Sequence, residues 1–153
     1  MISTPSEFLP VCEGTALMRR ITAWVLETAV AQIAQIAQWS RDGIRMPVAV
    51  NISATDLNDQ AVPEVTVAAL ARHHVDAELL TLEITETSLN SQPGRASDVI
   101  RRLRASGVKI SLDDFGTGFS SLSHLKDFPL TELKLDRKFV GELDNPASAV
   151  MNY

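Results

Sequence analysis

The sequence predicts an α/β fold in which about four parallel strands alternate with helices. Two observations carry this. Short, nearly continuous apolar runs recur at intervals of roughly 20–30 residues, with stretches of helical periodicity between them, which is the pattern of βαβ units. Glycine and proline fall at several of the junctions, where chain direction must change. Such units build parallel sheets through right-handed crossovers.

Residues 21–39 form the longest apolar stretch, but Glu27, Gln32, Gln35 and Gln38 interrupt it. A membrane span does not readily hold these groups, so the stretch reads as an amphipathic helix ending near Gly43. Residues 47–53 are the first strand. Ser53 or Thr55 starts a helical turn, and Asp59 is expected to cap the next helix, with Pro63 in its first turn and an end near His73. Residues 80–85 are the second strand. A helix around residues 97–104 stops at Gly107. Residues 108–113 are the third strand, residues 120–126 a short helix that Pro129 ends, and residues 131–136 the fourth strand. Another helix is expected to begin at Asn145. Cys12, Trp24 and Trp39 are expected in the core or in helix packing. His73 and His74 read as surface or capping residues, and Arg101, Arg102 and Arg104 as a solvated helix face.

The 153 residues are 45% apolar and 22% charged, ordinary values for one globular domain with a sizeable core. No low-complexity segment or linker divides residues 1–153. The 14 Lys and Arg residues stand against 19 Asp and Glu, for a net charge of −5. That balance argues against a DNA- or RNA-binding protein. A phosphodiester substrate would need a local device such as a metal to offset the repulsion. The single cysteine excludes an intrachain disulfide and fits a reducing cytosol. The N-terminus lacks the basic-then-apolar pattern of a signal peptide, so a cytoplasmic location is expected, with no membrane segment.

Each strand carries its unusual residues at its C-terminal end: Asn51, then Glu83 with Glu86, then Asp113 with Asp114, then Lys134 with Asp136. In a parallel sheet these ends share one rim, where barrels and open α/β sheets both build their sites. Any one of these residues alone reads as a strand-end polar group bonded to a loop. Four successive strands with the same pattern favour a site. Crowded carboxylates repel unless a cation neutralises them, and an all-oxygen set suits a hard divalent ion such as Mg²⁺. The strand ends lack Cys and His, which argues against a zinc site of that type. Two metals bridged by a shared Asp would suit in-line phosphodiester hydrolysis. Lys134 is placed to orient the attacking water or to stabilise charge on the phosphate. Gly116 and Gly118 free the loop backbone, but the segment matches neither a dinucleotide fingerprint nor a P-loop.

The segment Asp113-Asp114-Phe115-Gly116-Thr117-Gly118-Phe119-Ser120-Ser121-Leu122 resembles the signature loop of the EAL domain family of bacterial cyclic-di-GMP phosphodiesterases, with Phe119 where tyrosine is commoner. Residues 50–53, 82–86 and 133–140 are similar to the family's other motifs, in order. Residues 5–10 and 24–26 are similar to its early helical region. The resemblance implies a TIM-like barrel with one antiparallel strand. It implies a signalling function, the metal-dependent opening of cyclic di-GMP to linear pGpG, at a two-metal site for Mg²⁺ or Mn²⁺. On this basis Asn51, Glu83, Asp113 and Asp114 are metal ligands and Lys134 positions the water. Glu86 tethers the loop that begins at Asp113. Asp136 supports the ligands or acts as an acid in the site.

The chain departs from that pattern as well. No Glu-Ala-Leu occurs, and Thr15-Ala16-Leu17 is not a degenerate copy, because Glu7-Phe8-Leu9-Pro10 already matches the segment that follows the motif. Roughly three-fifths of a barrel of about 250 residues is expected here. The expectation is a truncated EAL domain with impaired or absent hydrolysis that either forms a homodimer through exposed strand edges or folds well only beside missing sequence. The alternatives are a non-catalytic cyclic-di-GMP receptor and a protein-interaction module.

Overall fold

The structure is a computed structural model and describes residues 4–39, 45–115, 125 and 128–135. Helix α1 (Pro5–Cys12) leads into the long helix α2 (Ala16–Trp39). Along α2 the buried residues are Met18, Thr22, Leu26, Ala29, Val30 and Ile33. Their spacing of three and four places them on one stripe. Cys12 is buried as expected, but Trp24 and Trp39 are 68% and 76% exposed. At 3.6 residues per turn, Trp24 lies roughly 200° around the helix from Leu26, so the stripe that buries Leu26 turns Trp24 outward. The helix begins at Ala16 rather than at Ile21.

Strand β1 (Val48–Asn51) is followed by the single turn α3 (Ala54–Leu57), whose cap Ser53 accepts the Asp56 N–H at 3.2 Å. Helix α4 (Val62–His73) is capped at Ala61 rather than Asp59. Asp59 instead accepts the Ala61 N–H at 3.0 Å and pairs with Arg19 of α2 at 2.9 Å. His74 closes α4 in the left-handed region at φ 54°, which fits the capping role expected of it. A 3-10 turn (Ala77–Leu79) leads into β2 (Leu80–Thr85). Helices α5 (Glu86–Ser91) and α6 (Pro93–Ala105) precede β3 (Lys109–Phe115). Gly107 turns the chain between α6 and β3 at φ 94°, and a Cβ there would stand 3.2 Å from that of Ala77. Of the arginine run, Arg101 is exposed, Arg102 binds Glu64 and the Gln60 carbonyl, and Arg104 donates to the Val108 carbonyl. Strand β4 (Glu132–Leu135) is the last described element. The helices expected at residues 120–126 and from Asn145 fall outside the described residues, Leu125 excepted.

The four strands form one parallel sheet in the order β1-β2-β3-β4. Side chains alternate across it. Val50, Leu80, Leu82, Ile84, Ile110 and Leu112 belong to the core cluster that also takes in Leu26 and Val30 of α2 and Val99, Ile100 and Leu103 of α6. The opposite face carries a register row, Asn51–Glu83–Ser111–Glu132, running through all four strands. Between α2 and α4, Glu27 receives Arg72 at 2.5 Å and His73 at 2.8 Å. Among the described residues no helix is long and apolar enough to cross a membrane.

Two outcomes check this packing. Leu82→Ala removes a fully buried side chain from the central sheet and should lower the urea unfolding free energy by about 2–5 kcal/mol, whereas exposed Trp24→Ala should change it by less than about 0.5 kcal/mol. The Arg72 and His73 hydrogen bonds hold the Glu27 carboxyl below its ordinary range. Stability from that pairing is therefore present above the ordinary glutamate value and is lost as pH falls through the lowered folded value. In acid titrations followed by circular dichroism, Glu27→Gln should lose this part of the acid sensitivity.

Candidate functional site

The site is built by the C-terminal ends of adjacent strands. Asn51 ends β1 and is exposed. The pairing of β1 with β2 runs one residue further, through an Ile52 N–H bond to the Glu83 carbonyl at 2.8 Å, which fixes Asn51 beside Glu83. Glu83 lies inside β2 with its side chain 13% exposed. Asp113 pairs in register with Thr85 and is partly buried, one step above the Asn51–Glu83–Ser111–Glu132 row. Lys134, two residues along from Glu132, shares its face by alternation. Thr131 anchors the start of β4: its hydroxyl accepts the Ile110 N–H at 2.6 Å, and its own N–H reaches the Ile110 carbonyl at 2.8 Å.

The Lys134 ammonium forms a hydrogen-bonded ion pair with Glu83. Because β3 separates β2 from β4, the lysine side chain reaches across β3 to do so. The Glu83 hydrogen bond raises the Lys134 pKa, burial opposes this, and the charges of Glu83, Asp113 and Glu132 add to the rise. Lys134 therefore places a cation among the carboxylates of this face.

Asp114 differs from its neighbours in backbone conformation. It has φ 56°, in the left-handed region that aspartate tolerates better than most residues, and its N–H contacts Asp113 Oδ1 at 3.1 Å. The β3–β4 register shifts between Leu112 and Phe115. In a regular strand adjacent residues point to opposite faces, and this irregularity interrupts that rule between Asp113 and Asp114. Glu86 follows the end of β2 rather than belonging to it. It opens α5 and is 4% exposed, while Thr85 caps the helix by accepting the Ser88 N–H at 3.3 Å.

The structure thus brings Asn51, Glu83, Asp113 and Lys134 onto one face, with Asp114 and Glu86 at its edge. Asp136 lies outside the described residues. Among the described residues no group of three or more His, Cys, Asp or Glu side chains converges closely enough to hold a metal ion. Sequence reasoning missed Ser111 and Glu132, which share the face. The period-two alternation back from Asp113 and from Lys134 points to both.

The EAL domain family model matches residues 1–152, and the chain belongs to that family. "Cyclic di-GMP phosphodiesterase PA2567" of Pseudomonas aeruginosa is 40% identical over 140 residues, which cover 92% of this chain and 23% of the relative. The solved structure "PaMucR Phosphodiesterase, c-di-GMP complex" superposes with a TM-score of 0.81 at 37% identity, over 95% of this chain and 59% of that one. The FimX EAL domain of Xanthomonas citri, solved in complex with c-diGMP, superposes with a TM-score of 0.81 at 26% identity, over 97% of this chain and 58% of that one. The chain therefore spans less than a quarter of the curated relative and about three-fifths of each structure. The four parallel strands and their helices are part of a TIM-like barrel.

The Lys134–Glu83 pair is open to measurement. Lys134→Met strands a largely buried carboxylate and should destabilise the chain. In a double-mutant cycle with Glu83→Gln, the coupling should be about 0.5–1 kcal/mol, a modest value because Lys134 is partly solvated.

Proposed function

We propose that this chain forms the metal- and phosphate-handling face of a site that hydrolyses cyclic di-GMP to linear pGpG. The observation that carries this reading is the placement of Asn51, Glu83, Asp113 and Lys134 on one face at the C-terminal ends of four adjacent parallel strands. The relatives' names supply the substrate: one is a cyclic di-GMP phosphodiesterase and two structures hold cyclic di-GMP. With this ligand, the domain works in the cytoplasm.

The donor set fits a hard cation, since every candidate ligand offers oxygen and none offers sulfur or imidazole. Asn51, Glu83, Asp113 and Asp114 would hold Mg²⁺ or Mn²⁺. Such an ion, when bound, would supply positive charge for the phosphate and lower the pKa of a water. Lys134 offers its N–H donors to that water or to the phosphate oxygens. Glu86, buried at the start of α5, holds the segment after Asp113 in place, and Asp136 completes the acidic set.

A second reading, binding without turnover, is favoured by two observations: Lys134 already occupies Glu83, and the described carboxylates do not converge.

Chromatography of cyclic di-GMP incubated with the chain and Mn²⁺ separates the two. Hydrolysis predicts pGpG that disappears with chelator and with Asp113→Ala. The receptor reading predicts calorimetric binding of cyclic di-GMP and no pGpG. Absence of both would overturn the assignment to this nucleotide.

A further inference from the structure

Ser111 sits at the centre of the site face and has no role in the reading above. It stands between Glu83 and Glu132 in the register row, and its side chain is fully buried. Its Oγ has no hydrogen-bond partner among the described residues. A buried hydroxyl left unpaired costs about 1–3 kcal/mol, which alanine at the same place would avoid.

Its neighbours indicate what the hydroxyl is placed to meet. The strand spacing of about 4.8 Å sets the Glu83 side chain directly beside it on the same face. In this structure the Glu83 carboxylate is turned to Lys134, whose side chain crosses β3. Glu132, on the other side of Ser111, is exposed and has water available to it. A carboxylate that binds a metal through one oxygen is ordinarily steadied by a hydrogen bond to the other. Beside Glu83 in the register row, Ser111 offers a buried hydroxyl with no partner among the described residues.

We propose that Ser111 is a positioning residue whose hydroxyl donates to the Glu83 carboxylate when that carboxylate turns from Lys134 to a divalent cation. The inference rests on the metal-site reading and goes beyond it by naming the residue that orients a ligand. It requires no bond to be made or broken.

The test is Mn²⁺ binding to the full chain, followed by calorimetry, together with thermal unfolding without metal. Ser111→Ala should leave the metal-free midpoint unchanged or raise it, yet weaken Mn²⁺ binding by about tenfold or more. Ser97→Ala is the matched control, because Ser97 is also buried with an unpaired Oγ, but lies on α6. It should leave Mn²⁺ affinity unchanged. If the parent binds Mn²⁺ and Ser111→Ala binds it equally well, this inference falls and the metal-site reading stands. Equal weakening by both substitutions would show a general packing effect and overturn the inference. A parent that binds no Mn²⁺ overturns the metal-site reading and this inference with it.

Discussion

The in-register pairing of β2 with β3 is the constraint on which the rest depends. Leu82 beside Ile110 and Ile84 beside Leu112 face the helices and are buried to within 1%. Because side chains alternate, the same pairing puts Glu83 beside Ser111 and Thr85 beside Asp113 on the other face. A slip of one residue would place Glu83 in the apolar layer and Leu82 on the rim. Burial of each of these aliphatic side chains is worth about 1.5–3 kcal/mol. A partly solvated ion pair such as Lys134–Glu83 is worth at most about 1 kcal/mol. The apolar face therefore fixes where the charged groups stand, and the charged groups contribute little to that choice.

Strand order adds a second condition. Lys134 comes from β4, the strand beyond β3, and still reaches Glu83 in β2. A short side chain on the intervening strand leaves room for that reach, and Ser111, beside Glu83 in register and fully buried, is short.

Much of this was legible in the sequence because strands with one apolar face and one polar end have a distinct signature. Four strands, their order along the chain and the rim residues Asn51, Glu83, Asp113 and Lys134 all follow from it. The misplaced features depend on tertiary context. The outward position of Trp24 follows from which stripe of α2 meets the sheet, and hydrophobicity alone points the other way. The start of α2 at Ala16 lies upstream of the apolar periodicity that marked it. Helix α5 is a short element, begun by a Thr85 cap rather than by a periodic pattern. The left-handed Asp114 was hidden for a different reason: backbone sign is not written in an Asp-Asp pair, and only the register shift opposite β4 reveals it.

That shift bears on how one strand can carry two neighbouring acids without burying the second. Regular alternation would send Asp113 to the rim and Asp114 into the layer occupied by Leu112, where an unpaired carboxylate costs several kcal/mol. An irregularity just after Leu112 lets the apolar layer end there and leaves Asp114 exposed. Phe115 then returns to the core at 6% exposure, paired with Leu135. The chain thus interrupts the strand for a single step and recovers its packing at the next residue. Local strain at Asp114 is sustained because buried side chains, Leu112 before it and Phe115 after it, hold the backbone on both sides.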